Sequence, residues 1–71
     1  MGGFYMGLKL KMRDKVRVKT LFNLNNRIGV IIQEGPILAP NHDNTGNVEY
    51  DYAVKIDDVI WLFYARELEL V

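Results

Sequence analysis

Few side chains in this 71-residue sequence could take part in chemistry, and they are scattered. His42 is the only histidine, and Asp43 beside it could help to hold a metal ion, but two ligands do not complete a site. Asp57 and Asp58 could form an acid and base pair, although successive residues in a tight turn usually point apart into water. We therefore expect His42 to be a solvated loop histidine, and we expect no metal site.

The sequence contains no pattern that indicates an enzyme. It has no catalytic nucleophile beside a base, no glycine-rich phosphate loop and no cluster of metal ligands. The chain also lacks cysteine, which excludes disulfides and thiolate zinc sites. We expect a protein without catalytic activity and without a cofactor.

Length and composition favour one small folded domain. Hydrophobic residues make up 49% of the chain and charged residues 25%, which is a globular composition. A chain of this length can enclose a single core. The apolar runs are far shorter than a membrane span and no signal-peptide pattern is present, so we expect a cytoplasmic protein with no membrane attachment.

Apolar and polar residues alternate with a period of two, which is typical of β-strands. Between Leu8 and Thr20 the even positions are mostly apolar and the odd positions basic, with a bend expected at Asp14. Residues 65–67 could form one helical turn. The predicted strands cover residues 15–20, 27–34, 48–56, 59–64 and 68–71. The pattern predicts an all-β domain over residues 8–71, after a flexible segment 1–7.

The alternation also predicts which strand faces are buried. Ile28, Val30 and Ile32 share one face of the second strand, and Gly29 between them is expected at a bulge or a close approach. Val54 lies on the apolar face of the third strand. We therefore expect Val30 and Val54 to be buried in central strands.

Four segments resemble SH3-like barrels of the KOW and Tudor type. They are residues 14–18, 27–32, 52–56 and 63–68. The Tyr50-Asp51-Tyr52-Ala53-Val54 segment is also similar to small phage and prophage SH3-like proteins of unknown function. The resemblance implies a five-stranded SH3-like barrel with a single 3-10 turn before the last strand. It constrains the fold far more than the function.

Charge is divided unevenly between the two halves of the chain. Residues 1–33 carry seven basic side chains and one acidic, whereas residues 34–71 carry two basic and eight acidic. Six of the basic residues form what we call the basic stripe: Lys9, Lys11, Arg13, Lys15, Arg17 and Lys19. The KOW resemblance implies that this stripe could bind nucleic acid. Alternatively, Glu67 and Glu69 could neutralise it across the sheet.

The segment from Gly35 to Asn47 is predicted as a thirteen-residue loop. Ile37 and Leu38 lie there between two prolines that stiffen the backbone, as in an anchor for a protein partner. They could instead fold back as a lid over one open end of the barrel. The candidate protein-binding residues are Pro36, Ile37, Leu38, Pro40, Trp61 and Phe63.

The aromatic residues allow two narrower interpretations besides ordinary core packing. Tyr50-Asp51-Tyr52 is similar to the motif with which SH3 domains bind proline-rich peptides, although it occurs here in a late strand. Tyr50, Tyr52, Trp61 and Phe63 could also form a Tudor-like cage for a methylated cation. We expect a non-enzymatic, protein-binding interaction module that is monomeric or weakly oligomeric, and the resemblance suggests that it is encoded by a phage or prophage. A nucleic-acid-binding module is the alternative.

Overall fold

Five antiparallel strands and one short 3-10 turn make up the fold in the computed structural model, which describes residues 10–20, 23–41, 43 and 45–71. The elements are β1 (Lys15–Val18), β2 (Ile28–Pro40), β3 (Asn47–Ile56), β4 (Val59–Phe63), the 3-10 turn (Ala65–Glu67) and β5 (Leu68–Leu70). The predicted all-β class and the single 3-10 turn before the last strand are confirmed. The predictions for residues 1–7, Lys9 and His42 fall outside the described residues.

The strands form one sheet in the order β4-β3-β2-β1-β5, so β4 and β5 are its edges. The edges of a flat five-stranded sheet would lie about 19 Å apart, at about 4.8 Å per strand spacing. Tyr64 and the 3-10 turn, which connect the two edges, span only about 13 Å because such a turn rises about 2 Å per residue. The sheet must therefore curl until its edges approach, which is compatible with an SH3-like fold.

Every strand contributes to the core inside the curled sheet. The buried cluster consists of Leu10, Val16, Val18, Ile31, Tyr52, Val54, Ile56, Phe63 and Leu68. Leu10 is held at one side of it by a buried hydrogen bond of 3.1 Å, which the Tyr52 hydroxyl donates to the Leu10 carbonyl oxygen. The chain then bends at Arg13, whose φ is 72°, and β1 begins two residues later, as the interruption at Asp14 predicts.

The prediction that Ile28, Val30 and Ile32 form the buried face of β2 is wrong. Gly29 and Ile31, which alternate with them, face the core instead. Gly29 lies directly opposite the buried Val16 of β1, so Ile31 is buried and Val30 is 38% exposed. A Cβ atom at Gly29 would lie 2.6 Å from Cγ1 of Ile56, which leaves no room for a side chain. Gly29 is therefore a point of close approach, as predicted. Val54 is fully buried, as expected.

The predicted thirteen-residue loop is also wrong. β2 continues through Pro40, and only residues 41–46 connect it to β3. Two irregularities in the β2–β3 register, between Ile31 and Gln33 and between Glu34 and Ile37, let the strand bend and accept a proline at position 36. Gly35 lies within the second irregularity, where a Cβ atom would clash with the carbonyl oxygens of β3.

Beyond this second irregularity the hairpin is two-stranded among the described residues, and we call this part the arm: residues 37–40 of β2 paired with residues 47–50 of β3. β4 pairs with β3 only as far as Tyr52, and β1 pairs with β2 only as far as Val30. Leu38 is 64% exposed on the outer side of the arm, so it does not form the lid considered above.

Candidate protein-binding groove

A groove of about 550 Å³ lies where the arm meets β4, the 3-10 turn and the loop between β1 and β2. Most of its lining is apolar or aromatic. The residues that line it are Thr20, Leu24, Ala39, Asn41, Val48, Tyr50, Trp61, Leu62, Phe63, Tyr64 and Glu67. A concave surface of this kind is the usual form of a binding site.

The first wall of the groove is the inner side of the arm. Ala39 pairs with Val48 and Ile37 pairs with Tyr50, and all four side chains are half-buried. Residues directly opposite in an antiparallel pair share a face, so period-two alternation places this apolar set on one side. Exposed residues such as Leu38 and Glu49 lie on the other side.

The second wall is a ladder of stacked side chains beside the 3-10 turn. The rings of Tyr50 and Tyr64 are stacked with centroids 5.0 Å apart and an interplanar angle of 29°. The guanidinium carbon of Arg66 lies 4.5 Å from the Tyr64 ring centroid. Tyr64 therefore lies between an aromatic ring and a cation, both of which favour its position.

Hydrogen bonds hold Tyr64 in this position. The Tyr64 backbone N–H donates to Oε1 of Glu67 over 2.9 Å, and the Glu67 N–H donates to the Tyr64 carbonyl over 3.0 Å. The next N–H, that of Ala65, donates to Oδ2 of Asp51 in β3 over 2.7 Å. These contacts satisfy donors at the start of the 3-10 turn and fix its orientation to the arm.

The floor and rim of the groove come from β4. Phe63 is buried beneath the groove, whereas Trp61 is 41% exposed at the rim. Trp61 pairs with Val54, so its side chain points to the inner face of the sheet. An exposed tryptophan at the edge of an apolar groove is a typical contact residue in protein interfaces.

The predicted protein-binding residues lie in three places. Trp61 and Phe63 line the groove, and Ile37 is on the inner side of the arm. Leu38 and Pro40 are exposed on the outer side. Pro36 lies at the base of the arm in a separate depression lined by acidic residues, among them Glu34 and Asp51.

The four-aromatic cage does not form. Tyr52 and Phe63 are both buried in the core, Phe63 as part of the groove floor, so the four rings do not form an exposed cage. Burial raises the pKa of Tyr52. Core packing is therefore the correct interpretation for Tyr52 and not for Tyr50.

Sequence reasoning missed much of the groove lining, including Tyr64 and Leu24. Tyr64 follows the last residue of β4, so its side chain does not obey the alternation of that strand. Leu24 is a single apolar residue among loop asparagines, a setting that usually indicates an exposed turn. The sequence places Tyr64 at the end of the predicted strand 59–64 and Leu24 in a predicted loop, and neither position indicates a binding role.

The described part of the basic stripe follows the chain outside the groove. Lys11 and Arg13 are exposed before β1, and Arg17 and Lys19 lie opposite β5. Nη1 of Arg17 is 3.1 Å from Oε2 of Glu69, and Nζ of Lys19 is 3.4 Å from Oε1. The hydrogen bonds from Arg17 and then Lys19 lower the pKa of Glu69. Glu69 thus neutralises part of the stripe. The Glu67 carboxylate instead accepts the backbone N–H of Tyr64, at the start of the 3-10 turn.

Neither a metal-ligand cluster nor a membrane-spanning helix is found among the described residues. No group of three His, Cys, Asp or Glu side chains among them is placed to hold a metal ion. Within the same residues, no helix has the length and apolar character needed to cross a membrane.

The fold and the groove define a small all-β domain compatible with the SH3-like class. No protein-family model, no curated protein and no solved structure matches the chain.

Proposed function

We propose that this protein is a non-enzymatic, protein-binding module that holds an extended segment of its partner in the groove. The observation that carries the proposal is the pre-formed aromatic surface of Tyr50, Tyr64 and Trp61. Rigid aromatic side chains provide a large contact area and lose little entropy on binding. The resemblance to phage and prophage SH3-like proteins suggests that the partner is a host or virion protein.

The composition of the groove favours a segment rich in proline or other apolar residues. Such segments adopt the extended polyproline conformation, whose three-residue period presents flat apolar side chains to aromatic grooves. Glu67, with Glu34 and Asp51 in the adjoining depression, would favour a basic residue flanking the apolar core.

Nucleic-acid binding through the basic stripe ranks second. Glu69 pairs with Arg17 and Lys19, which lowers the positive potential that phosphates would meet. Lys11, Arg13 and Lys15 form no ion pair with another described residue, so they would carry that activity. Such binding would show an affinity that falls steeply with salt. In a plot of the logarithm of the binding constant against the logarithm of the salt concentration, each phosphate contact would add a slope of about −1.

The proposal can be tested by selecting ligands from a displayed library of random peptides against the wild-type chain. The library should be counter-selected on a Trp61→Ala variant, and a selected peptide should then be titrated while backbone amide shifts are recorded. We expect proline-containing or apolar sequences, with shifts concentrated at Tyr50, Trp61 and Tyr64. Trp61→Ala should weaken binding about tenfold or more, since tryptophan is the typical hot-spot residue.

Ile60→Ala is the matched control, because Ile60 is the exposed neighbour of Trp61 on the opposite face of the same strand. Its affinity for the peptide should equal that of the wild type. Selection of no groove-binding peptide, or equal loss of affinity in the two variants, would contradict the proposal. Tight binding of DNA or RNA near physiological salt, abolished by reversing Lys11 and Lys15, would favour the alternative.

A further inference from the structure

β4 is an edge strand with an unusually apolar surface. Its five residues, Val-Ile-Trp-Leu-Phe, include no charged side chain. Val59 is 49% exposed, Ile60 58% and Trp61 41%. Edge strands of monomers usually carry charges, prolines or bulges that prevent pairing with another strand, and β4 has none of them.

The hairpin turn determines which backbone groups β4 presents at its outer edge. Asp57 and Asp58 both have positive φ, 50° and 68°, as a two-residue type I′ turn requires. In such a hairpin the flanking residues, Ile56 and Val59, exchange both backbone hydrogen bonds. Alternation then directs the N–H and C=O groups of Trp61 toward β3.

The same alternation directs the N–H and C=O groups of Ile60 and Leu62 away from β3. Outside the β3–β4 pairing, neither residue takes part in a backbone hydrogen bond with any other described residue. β5, the opposite edge of the sheet, pairs with β1 and not with β4. The edge is therefore a row of donors and acceptors flanked by exposed apolar side chains.

We propose that this edge binds a second copy of the same chain, with the two β4 strands antiparallel and a two-fold axis at Trp61. In that register Ile60 of one copy lies opposite Leu62 of the other, and each such pair exchanges both backbone hydrogen bonds. The exposed side chain of Ile60 then packs against Leu62 of the other copy.

Charge complementarity selects a second copy over an unrelated strand. The two-fold axis brings the Asp57-Asp58 turn of one chain alongside the Tyr64 to Arg66 segment of the other. Asp57 pairs with Arg27 of its own chain, so Asp58 is the carboxylate that the Arg66 of the other copy would meet. The Arg66 guanidinium lies on the exposed 3-10 turn, and the Asp58 side chain is almost fully exposed. Within the paired segment no like charges meet, because β4 has none.

The dimer also places the two grooves side by side. Trp61 faces the groove, so pairing across the axis sets two Trp61 side chains next to each other on one face of a continuous sheet. A partner with two binding segments could then occupy both grooves at once and gain avidity.

Sedimentation equilibrium over micromolar to millimolar concentrations tests the dimer. The mass should rise from that of the 8.2 kDa monomer toward twice that value. Ile60→Lys should remain monomeric throughout, because it places a charge on the edge. Leu38→Lys is the matched control, since it alters an equally exposed apolar residue on the arm, and it should dimerise like the wild type.

A second variant and a second measurement complete the test. Ile60→Pro removes an N–H that β3 does not use, so it should fold and remain monomeric. Hydrogen exchange at the Ile60 and Leu62 amides should slow as concentration rises. A wild type that stays monomeric, an Ile60→Lys variant that still dimerises, or protection of these amides at every concentration would overturn the proposal. The last outcome would mean that another part of the chain covers the edge.

The dimer proposal and the groove proposal can be tested independently of each other. Tyr50→Ala alters the groove and leaves the β4 edge intact, so it should weaken peptide binding without changing the monomer–dimer equilibrium. Ile60→Lys should have the opposite effect.

Discussion

The side chain of Val54 is fully enclosed by the core, whereas the side chain of Val30 is 38% exposed on the outer face of the sheet. Val54→Ala should therefore lower the free energy of unfolding by about 2 kcal/mol, because it leaves a cavity that the core cannot close. Val30→Ala should change it by about 0.5 kcal/mol or less, as is usual for surface positions. Urea denaturation of both variants gives the comparison, and equal losses would show that the two faces of β2 are assigned wrongly.

The close approach at Gly29 was predicted from the sequence, but the fact that Gly29 lies on the buried face of β2 was not. Apolar residues at 28, 30 and 32 form a regular stripe, and a glycine between them adds no apolar area of its own. Gly29 nevertheless faces the core, because Ile56 and the Lys55 carbonyl occupy the space that its side chain would need. The exclusion comes from a strand 26 residues away in sequence, so no local pattern could indicate it.

At the scale of the elements, the pairing of β1 with β5 has a pH-dependent component. The hydrogen bonds from Arg17 and Lys19 hold the pKa of Glu69 below its ordinary value of 4.5. The unfolded chain therefore binds more protons than the native state in the range between the two pKa values, and stability rises with pH there. This contribution is complete above pH 4.5 and is lost as the pH falls through the lower, native value.

Glu69→Gln should consequently be less stable than the wild type at neutral pH, and the difference should shrink as the solution is acidified. Thermal melts at about pH 7 and about pH 3 measure it, and added salt should reduce the effect because the pair is exposed. Glu49→Gln serves as the control, since Glu49 forms no ion pair with another described residue. A difference that grows toward acid would contradict the assignment.

The arm shows that the alternation of apolar and polar residues predicted one of its two strands and not the other. Val48 and Tyr50 alternate regularly, and the sequence correctly predicts their strand. On the facing strand, Pro36 and Pro40 indicate a loop, since proline cannot donate to a strand ladder. Both are tolerated because β4 and β1 do not extend to the arm, so the edges beside these prolines need no donor. The loop prediction failed for this reason, and the groove wall was missed with it.

For the molecule as a whole, stability should be distributed unevenly between the arm and the curled sheet. A two-stranded ribbon without a third strand is marginal by itself, whereas the sheet encloses the core. Amide hydrogen exchange in the arm should be about tenfold or more faster than at Ile31 and Val54. A bound peptide should slow exchange in the arm while leaving that in the sheet unchanged. Equal protection of arm and sheet without a ligand would contradict this view.

The overall class was predictable because alternation, turn residues and the absence of any helical period agree over most of the chain. The groove was not, because it forms where the arm, the end of β4 and the loop before β2 meet. Its stacked pair, Tyr50 and Tyr64, is brought together by the hydrogen bond from the Ala65 N–H to Asp51, a tertiary contact.

The order in which the strands are made has a consequence for synthesis in the cell. β1 pairs on one side with β5, and the Arg17–Glu69 contact joins positions 52 residues apart. β2, β3 and β4 can form hairpins in turn as they leave the ribosome. The outer edge of β1 stays unpaired for about 3–10 s until β5 has been synthesised, at typical rates of about 5–20 residues per second. During that interval Arg17 and Lys19 have no contact with Glu69, so nascent chains of Glu69→Gln and the wild type should behave alike until β5 emerges.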